Sequence, residues 1–130
     1  MKKEQEMVRE FMLKAGQDCP KTPTLEPLQS VKDLRYNLIW EELQELWNAM
    51  YDCNRIGIAD SIGDLLVVVL GTAVAFGMDI EPIFNEIHRS NMTKFIDGHK
   101  REDGKWVKGP SYSPANLEPI IKAQQNSSPH

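Results

Sequence analysis

The run Leu65-Leu66-Val67-Val68-Val69-Leu70, headed by Asp60 and Asp64, restricts the fold of this chain more than any other segment. Three consecutive valines would suit a strand. The apolar character, however, continues to Met78 without alternation, and that length favours a helix buried nearly all round. Such a helix needs neighbours on several sides, which means a helical bundle. Gly71, Ala73 and Ala75 let one of those neighbours approach closely. The apolar run falls short of the ~20 residues of a membrane span, so the reading is a soluble protein. A carboxylate at the mouth of a buried helix is costly unless something pairs with it. Asp60 alone reads as an N-terminal acid favoured by the helix dipole. Asp64, one turn deeper beside Leu65 and Leu66, is harder to explain that way.

A second acidic cluster, Glu41-Glu42-Leu43-Gln44-Glu45, lies on the preceding amphipathic segment. Residues 31–53 are predicted helical, with Ser30 as a candidate N-cap. Ile39, Leu43, Leu46 and Met50 form one apolar stripe, and Leu34, Leu38, Glu42 and Glu45 form an adjacent stripe that turns from apolar to acidic. Glu42 and Glu45 are i, i+3, and Asp60 and Asp64 are i, i+4, so each pair shares a face. The link between the two helices is short, which predicts antiparallel packing and one shared acidic site. An E-E-x-x-E cluster by itself is most often a solvated face. Four or five acids on adjacent helices instead imply a cation, and oxygen ligands suit Mg²⁺ or Mn²⁺ together with substrate phosphates.

The remaining chain fits one domain of 130 residues. Residues 3–15 carry Met7, Val8, Phe11 and Met12 at helical spacing, with Gly16 as the stop. Residues 18–30, with three prolines, read as a loop. The apolar helix is expected over 58–77 with Gly77 as its C-cap. A fourth helix opens at Asp79 and Pro82, and its Ile83–Ile87 face runs on into Asn91 and Lys94. Asp103-Gly104 predicts a short hairpin between Lys100 and Val107. A domain over 1–121 and a disordered tail over 122–130 complete the division. The net charge of −4 argues against nucleic acid as the main partner. Cys19 and Cys53 are far apart with no CxxC, and the charged N-terminus lacks a signal-peptide core. Both point to the cytoplasm.

These residues, in this order, resemble the all-α nucleoside triphosphate pyrophosphohydrolase superfamily, which includes MazG, dimeric dUTPases and phosphoribosyl-ATP pyrophosphohydrolase. The family pattern is E-x-x-E followed, after a gap, by E-x-x-D. Glu42 and Glu45 match the first half and Asp64 the final acid. Ser61 stands where the third acid is expected, and Asp60, one residue earlier, is the nearest substitute. The phrase Ala59-Asp60-Ser61-Ile62-Gly63-Asp64-Leu65-Leu66 is similar to the MazG-like branch that uses a shifted acid. So are Glu86 to Lys94, Asp103-Gly104-Lys105 and Lys108-Gly109-Pro110.

The resemblance implies an all-α, four-helix bundle of the MazG-like type, oligomeric, with an irregular C-terminal segment. It implies Mg²⁺-dependent (or Mn²⁺-dependent) conversion of a nucleoside or deoxynucleoside triphosphate to the monophosphate and pyrophosphate. Glu42, Glu45, Asp60 and Asp64 would be metal ligands, and Glu41 or Glu42 the general base. Asn91 and Lys94, where the apolar face of helix four gives out, are candidate phosphate contacts. Lys105 and Trp106 are candidate substrate contacts from the hairpin. Phe11, Met12 and Gln17 suit a base pocket, or simply a core helix with a polar end. Trp40 and Trp47, on the back of the acidic helix, suit packing or a homodimer or homotetramer contact. Two alternatives stand beside this reading. One is a non-catalytic helical interaction module. The other is a di-iron carboxylate bundle, for which Glu86-Ile87-His88 has the wrong spacing.

Overall fold

The computed structural model describes residues 1–24 and 27–126 and is mostly helical. Its elements are α1 (Lys2–Lys14), α2 (Gln29–Tyr51), α3 (Arg55–Ala75), α4 (Ile80–Met92), α5 (Lys94–Asp97), β1 (His99–Lys100), β2 (Trp106–Val107) and α6 (Glu118–Gln125). The helices start and stop where local chemistry dictates. Gly16, at φ +74°, ends α1, and the Gln17 N–H returns to the Met12 carbonyl at 2.9 Å. Gly77, at φ +71°, ends α3, and the Met78 N–H bonds the Ala73 carbonyl at 2.9 Å. A side chain at Gly77 would place Cβ 2.0 Å from the Thr22 carbonyl oxygen. Asp79 caps α4 by accepting from the Glu81 N–H.

Two helix starts differ from the sequence expectation. α2 begins at Gln29 after Leu28, with no side-chain cap, so Ser30 lies inside the helix. The Gln29 amide instead donates to Asp33 at 2.9 Å across the first turn. α3 begins at Arg55, three residues early, because Asn54 accepts from the Gly57 N–H at 3.0 Å. Asp60 is therefore well inside α3 and is not its cap. At 21 residues and a mean hydropathy of 1.8, α3 is long and apolar enough by composition to cross a membrane. The shorter apolar run read from sequence did not show this. Here it is the central helix, covered along one side by α2 and α1.

The α2–α3 pair is antiparallel. Ala49 neighbours Gly57 near the link, and Arg35 reaches Val68 and Thr72 at the far end. The apolar core lies where α1 crosses α3 and comprises Val8, Met12, Leu70, Val74 and Ala75. Gln5, only 5 % exposed, fastens α1 to the α3–α4 turn. Its amide donates to the Met78 carbonyl and its oxygen accepts from the Ile80 N–H. Both polar ends are thus satisfied.

The face of α2 turned toward α3 is offset from the stripe expected from sequence. Arg35 and Ala49 are buried, while Leu43 and Met50 are exposed. Tyr36, Trp40, Leu43, Trp47 and Met50 form a continuous outer stripe at alternating spacings of four and three, and all are exposed. α3 likewise leaves Ile62, Leu66 and Val69 exposed.

The C-terminal segment is held on α4. Arg89 pairs with Glu86 at 2.7 Å and also donates to Ser113 and to the Pro114 carbonyl. The Asn116 N–H donates to Glu86. These bonds, Arg89 first, hold the Glu86 carboxyl down at about 2. The expected hairpin is present, with His99 opposite Val107 and Lys100 opposite Trp106. Helix α6 continues past the boundary expected at 121. Its Gln124 side chain accepts from the Asp79 N–H and donates to the Asp79 carbonyl, so the first residues of the expected tail are ordered. Residues 127–130 lie outside the described residues, as do Leu25 and Glu26 of the expected loop.

Candidate active site

Seven residues after Arg35, on the same face of α2, sits Glu42. It is half-buried against α3, and its Oε2 is fully enclosed with no hydrogen-bond donor. An enclosed carboxylate oxygen without a donor costs on the order of 1–3 kcal/mol or more unless something else satisfies it. Glu45, one turn along α2, and Asp64, across the seam on α3, each bring a carboxylate oxygen so that the three lie within 4.8 Å of one another. Burial pushes the Glu42 carboxyl above its ordinary range. The charge of Glu45 and a hydrogen bond with it add to this, followed by the charges of Asp64 and Asp60. No Lys or Arg forms an ion pair with any of the three among the described residues.

An enclosed acceptor with no donor, inside a ring of mutually repelling acids, matches a divalent cation with hard oxygen ligands. Glu42, Glu45 and Asp64 could hold Mg²⁺ or Mn²⁺ there. All are carboxylates, and His88 is exposed on α4. The histidines that a di-iron bundle requires do not join this group.

The other sequence candidates fall in different places. Asp60 lies one turn before Asp64 and reaches Glu42 through its charge, outside the group of three. Glu41 is exposed, rotated about 100° from Glu42 around the helix. Asn91, Lys94, Lys105 and Trp106 lie on the α4–hairpin side. There α4 packs on α1 and α5, and α5 packs on β2. Trp106 meets Phe95 edge-on at 4.8 Å. Phe11 is 60 % exposed, whereas Met12 and Gln17 line a cavity.

The model of the phosphoribosyl-ATP pyrophosphohydrolase family matches residues 8–91, more than half of the chain and the whole of α2 and α3. The chain belongs to the phosphoribosyl-ATP pyrophosphohydrolase family. That family lies within the all-α MazG-like nucleoside triphosphate pyrophosphohydrolases. Its enzymes are pyrophosphohydrolases acting on a nucleoside triphosphate derivative, which removes the non-catalytic alternative. The family's typical divalent-metal chemistry agrees with the Glu42–Glu45–Asp64 group. No curated protein matches the chain.

Sequence reasoning missed Arg35. It is 5 % exposed and buried at the α2–α3 seam two turns from Glu42. Its signal was available: it shares the face of Ala49 and Glu42 at seven-residue spacing, and a lone cation on a core-facing line is unusual.

Proposed function

We propose that the protein hydrolyses a nucleoside or deoxynucleoside triphosphate between the α and β phosphorus, releasing the monophosphate and pyrophosphate. The observation that carries this reading is the enclosed, donor-free Oε2 of Glu42 within reach of Glu45 and Asp64. Glu42, Glu45 and Asp64, with Asp60 one turn away, would hold Mg²⁺ or Mn²⁺. When bound, the cation would neutralise the polyphosphate and lower the pKa of water.

The chain's own part is geometric and acid–base. The α2–α3 hairpin holds its acids on rigid helices on either side of one seam, so they need little reorganisation when a polyphosphate arrives. A water adds at phosphorus, the bond to the α–β bridging oxygen breaks, and that oxygen leaves on pyrophosphate. The water's proton passes to a carboxylate, for which Glu42 and its neighbour Glu41 are the candidates. Asn91, Lys94, Lys105 and Trp106 are proposed substrate contacts. They sit on α4, α5 and the hairpin, and a homodimer or homotetramer would let a second copy supply them as well. The exposed stripes of α2 and α3 support such a homodimer or homotetramer. A cytoplasmic nucleotide pool fits the reading.

The test is a turnover panel of the common triphosphates and phosphoribosyl-ATP with Mg²⁺, with products resolved. Monophosphate plus pyrophosphate, lost in chelator, supports the reading. Diphosphate plus phosphate, or no turnover of any of them, refutes it.

A further inference from the structure

A cavity of about 270 Å³ opens between the end of α1 and the start of α2. Pockets for drug-sized ligands start at about 300 Å³, so this one suits a compact molecule. Two opposite charges line it. Arg35 is only 5 % exposed, and Asp18 is an exposed residue at the rim. Neither forms an ion pair among the described residues. Met12, Val31, Leu34 and Ala75 supply apolar walls. The Arg35 guanidinium is held in place from three sides. Its Nε donates to Thr72 Oγ1 at 3.4 Å, Nη1 to Gln17 Oε1 at 3.3 Å and Nη2 to the Val68 carbonyl at 3.1 Å. All three acceptors are neutral. They use three of the five N–H donors of a guanidinium, which leaves one on each Nη, and they match none of its charge. Gly71 keeps the room this needs, since a Cβ there would collide with Nη2.

A buried cation among neutral partners is costly until an anion reaches it. The other lining residues restrict what that anion can be. A neutral ring would fill the apolar walls and leave the charge of Arg35 unmatched. A phosphate would bring two negative charges to a single cation with Asp18 nearby, and would leave the apolar walls bare. A compact zwitterion with an apolar body meets all three features. We propose that this cavity binds a free α-amino acid with an apolar side chain. Its carboxylate pairs with the open Nη donors of Arg35, a planar match for a planar guanidinium. Its ammonium faces Asp18, and its side chain lies against Met12, Val31, Leu34 and Ala75. The guanidinium is already ordered by its three neutral acceptors, so binding costs little further side-chain freedom. Arg35 and Glu42 are seven residues apart, about 10 Å along α2, so the amino acid does not touch the acidic group. It supplies the missing anion to the same α2–α3 seam, which makes this an effector site. The proposal does not depend on the pyrophosphohydrolase reading above.

The experiment is an NMR titration of the full chain in chelator, following the Arg35 Nε–H and the Ala75 methyl. Leucine and phenylalanine are each compared with the acid that lacks the ammonium (isocaproate, hydrocinnamate) and the amine that lacks the carboxylate (isoamylamine, phenethylamine). At least one of the two amino acids should shift both signals. Its acid should bind at least about threefold more weakly, through the loss of one exposed ion pair. Its amine should bind at least about tenfold more weakly, through the loss of a hydrogen bond to a charged group. Asp18→Asn changes only an exposed side chain, so the fold should hold. It should bring the amino acid and its acid to nearly equal affinity while the amine stays weak. No shift with either amino acid, an acid or an amine that binds as tightly as the amino acid, or an advantage over the acid that survives Asp18→Asn overturns the proposal.

Discussion

At the residue scale, Glu42 carries the most information. Its carboxyl is held above the ordinary range by burial and by its acidic neighbours. A carboxyl whose folded pKa exceeds its unfolded value, about 4.3 for Glu, contributes stability that is present below the unfolded pKa. That contribution is lost as pH rises through the folded value. In chelator, Glu42→Gln should therefore melt higher than the wild type at neutral pH. The difference should shrink as pH falls toward the ordinary glutamate range, and Mg²⁺ should raise the wild type and not the variant. Thermal melts across pH, with and without Mg²⁺, check this; a variant that melts lower at neutral pH in chelator contradicts it. Glu42→Gln, Glu45→Gln and Asp64→Asn should each lose at least about a hundredfold in turnover, as removal of a group that stabilises the transition state typically does. Wild-type activity of any one at limiting Mg²⁺ would strike that residue from the site. Asp60 gives a sharper contrast, since Asn54 and not Asp60 caps α3. Asp60→Asn should raise the Mg²⁺ concentration for half-maximal rate without lowering the melting temperature. Asn54→Ala should cost about 1 kcal/mol of stability and leave the metal dependence unchanged. Metal titrations and melts of the pair separate the two roles.

At the element scale, the α2–α3 seam joins a polar line to a packed one. Arg35, Glu42 and Ala49 recur every seventh residue on α2. Opposite them Thr72, Asp64 and Gly57 descend α3, so guanidinium, carboxylates and small-residue contact follow one another along one groove. Gly71 is the element's sensitive point. Gly71→Ala drives a Cβ into the Arg35 guanidinium, and overpacking of this kind costs roughly 1–3 kcal/mol. Removing the guanidinium should relieve it, so Gly71→Ala should be less damaging in an Arg35→Met background than in the wild type. A double-mutant cycle by chemical denaturation measures that coupling, and additive effects would show that the two side chains do not meet. Periodicity made much of this element legible. The helix positions, the hairpin and the antiparallel pairing followed from patterns of apolar and acidic residues. The exact face did not, because Leu43 and Met50 look like core residues until Arg35 and Ala49 are seen to occupy the seam.

At the scale of the whole molecule, one chain leaves too much apolar surface uncovered. Tyr36 is 68 %, Trp40 53 %, Trp47 60 % and Leu66 48 % exposed, and the stripe on α2 has the four–three spacing of an interhelical seam. Contiguous patches of this kind mark interaction surfaces. Light scattering at micromolar concentration should return a dimer or tetramer, and Trp40→Glu with Trp47→Glu should shift it to monomer. A monomeric wild type would refute the assembly.

The sequence by itself determined the helical architecture, the two acidic clusters and the family to which they belong. Those depend on spacing along a helix, and spacing is written in the chain. Only the tertiary structure decided which acids meet, that Asp60 stands one turn outside the group, and that Arg35 is buried with no ion pair among the described residues. Each of those depends on the rotation of one helix against another. A rotation of one residue, about 100°, moves a side chain from solvent to seam, and no local pattern in the sequence specifies it.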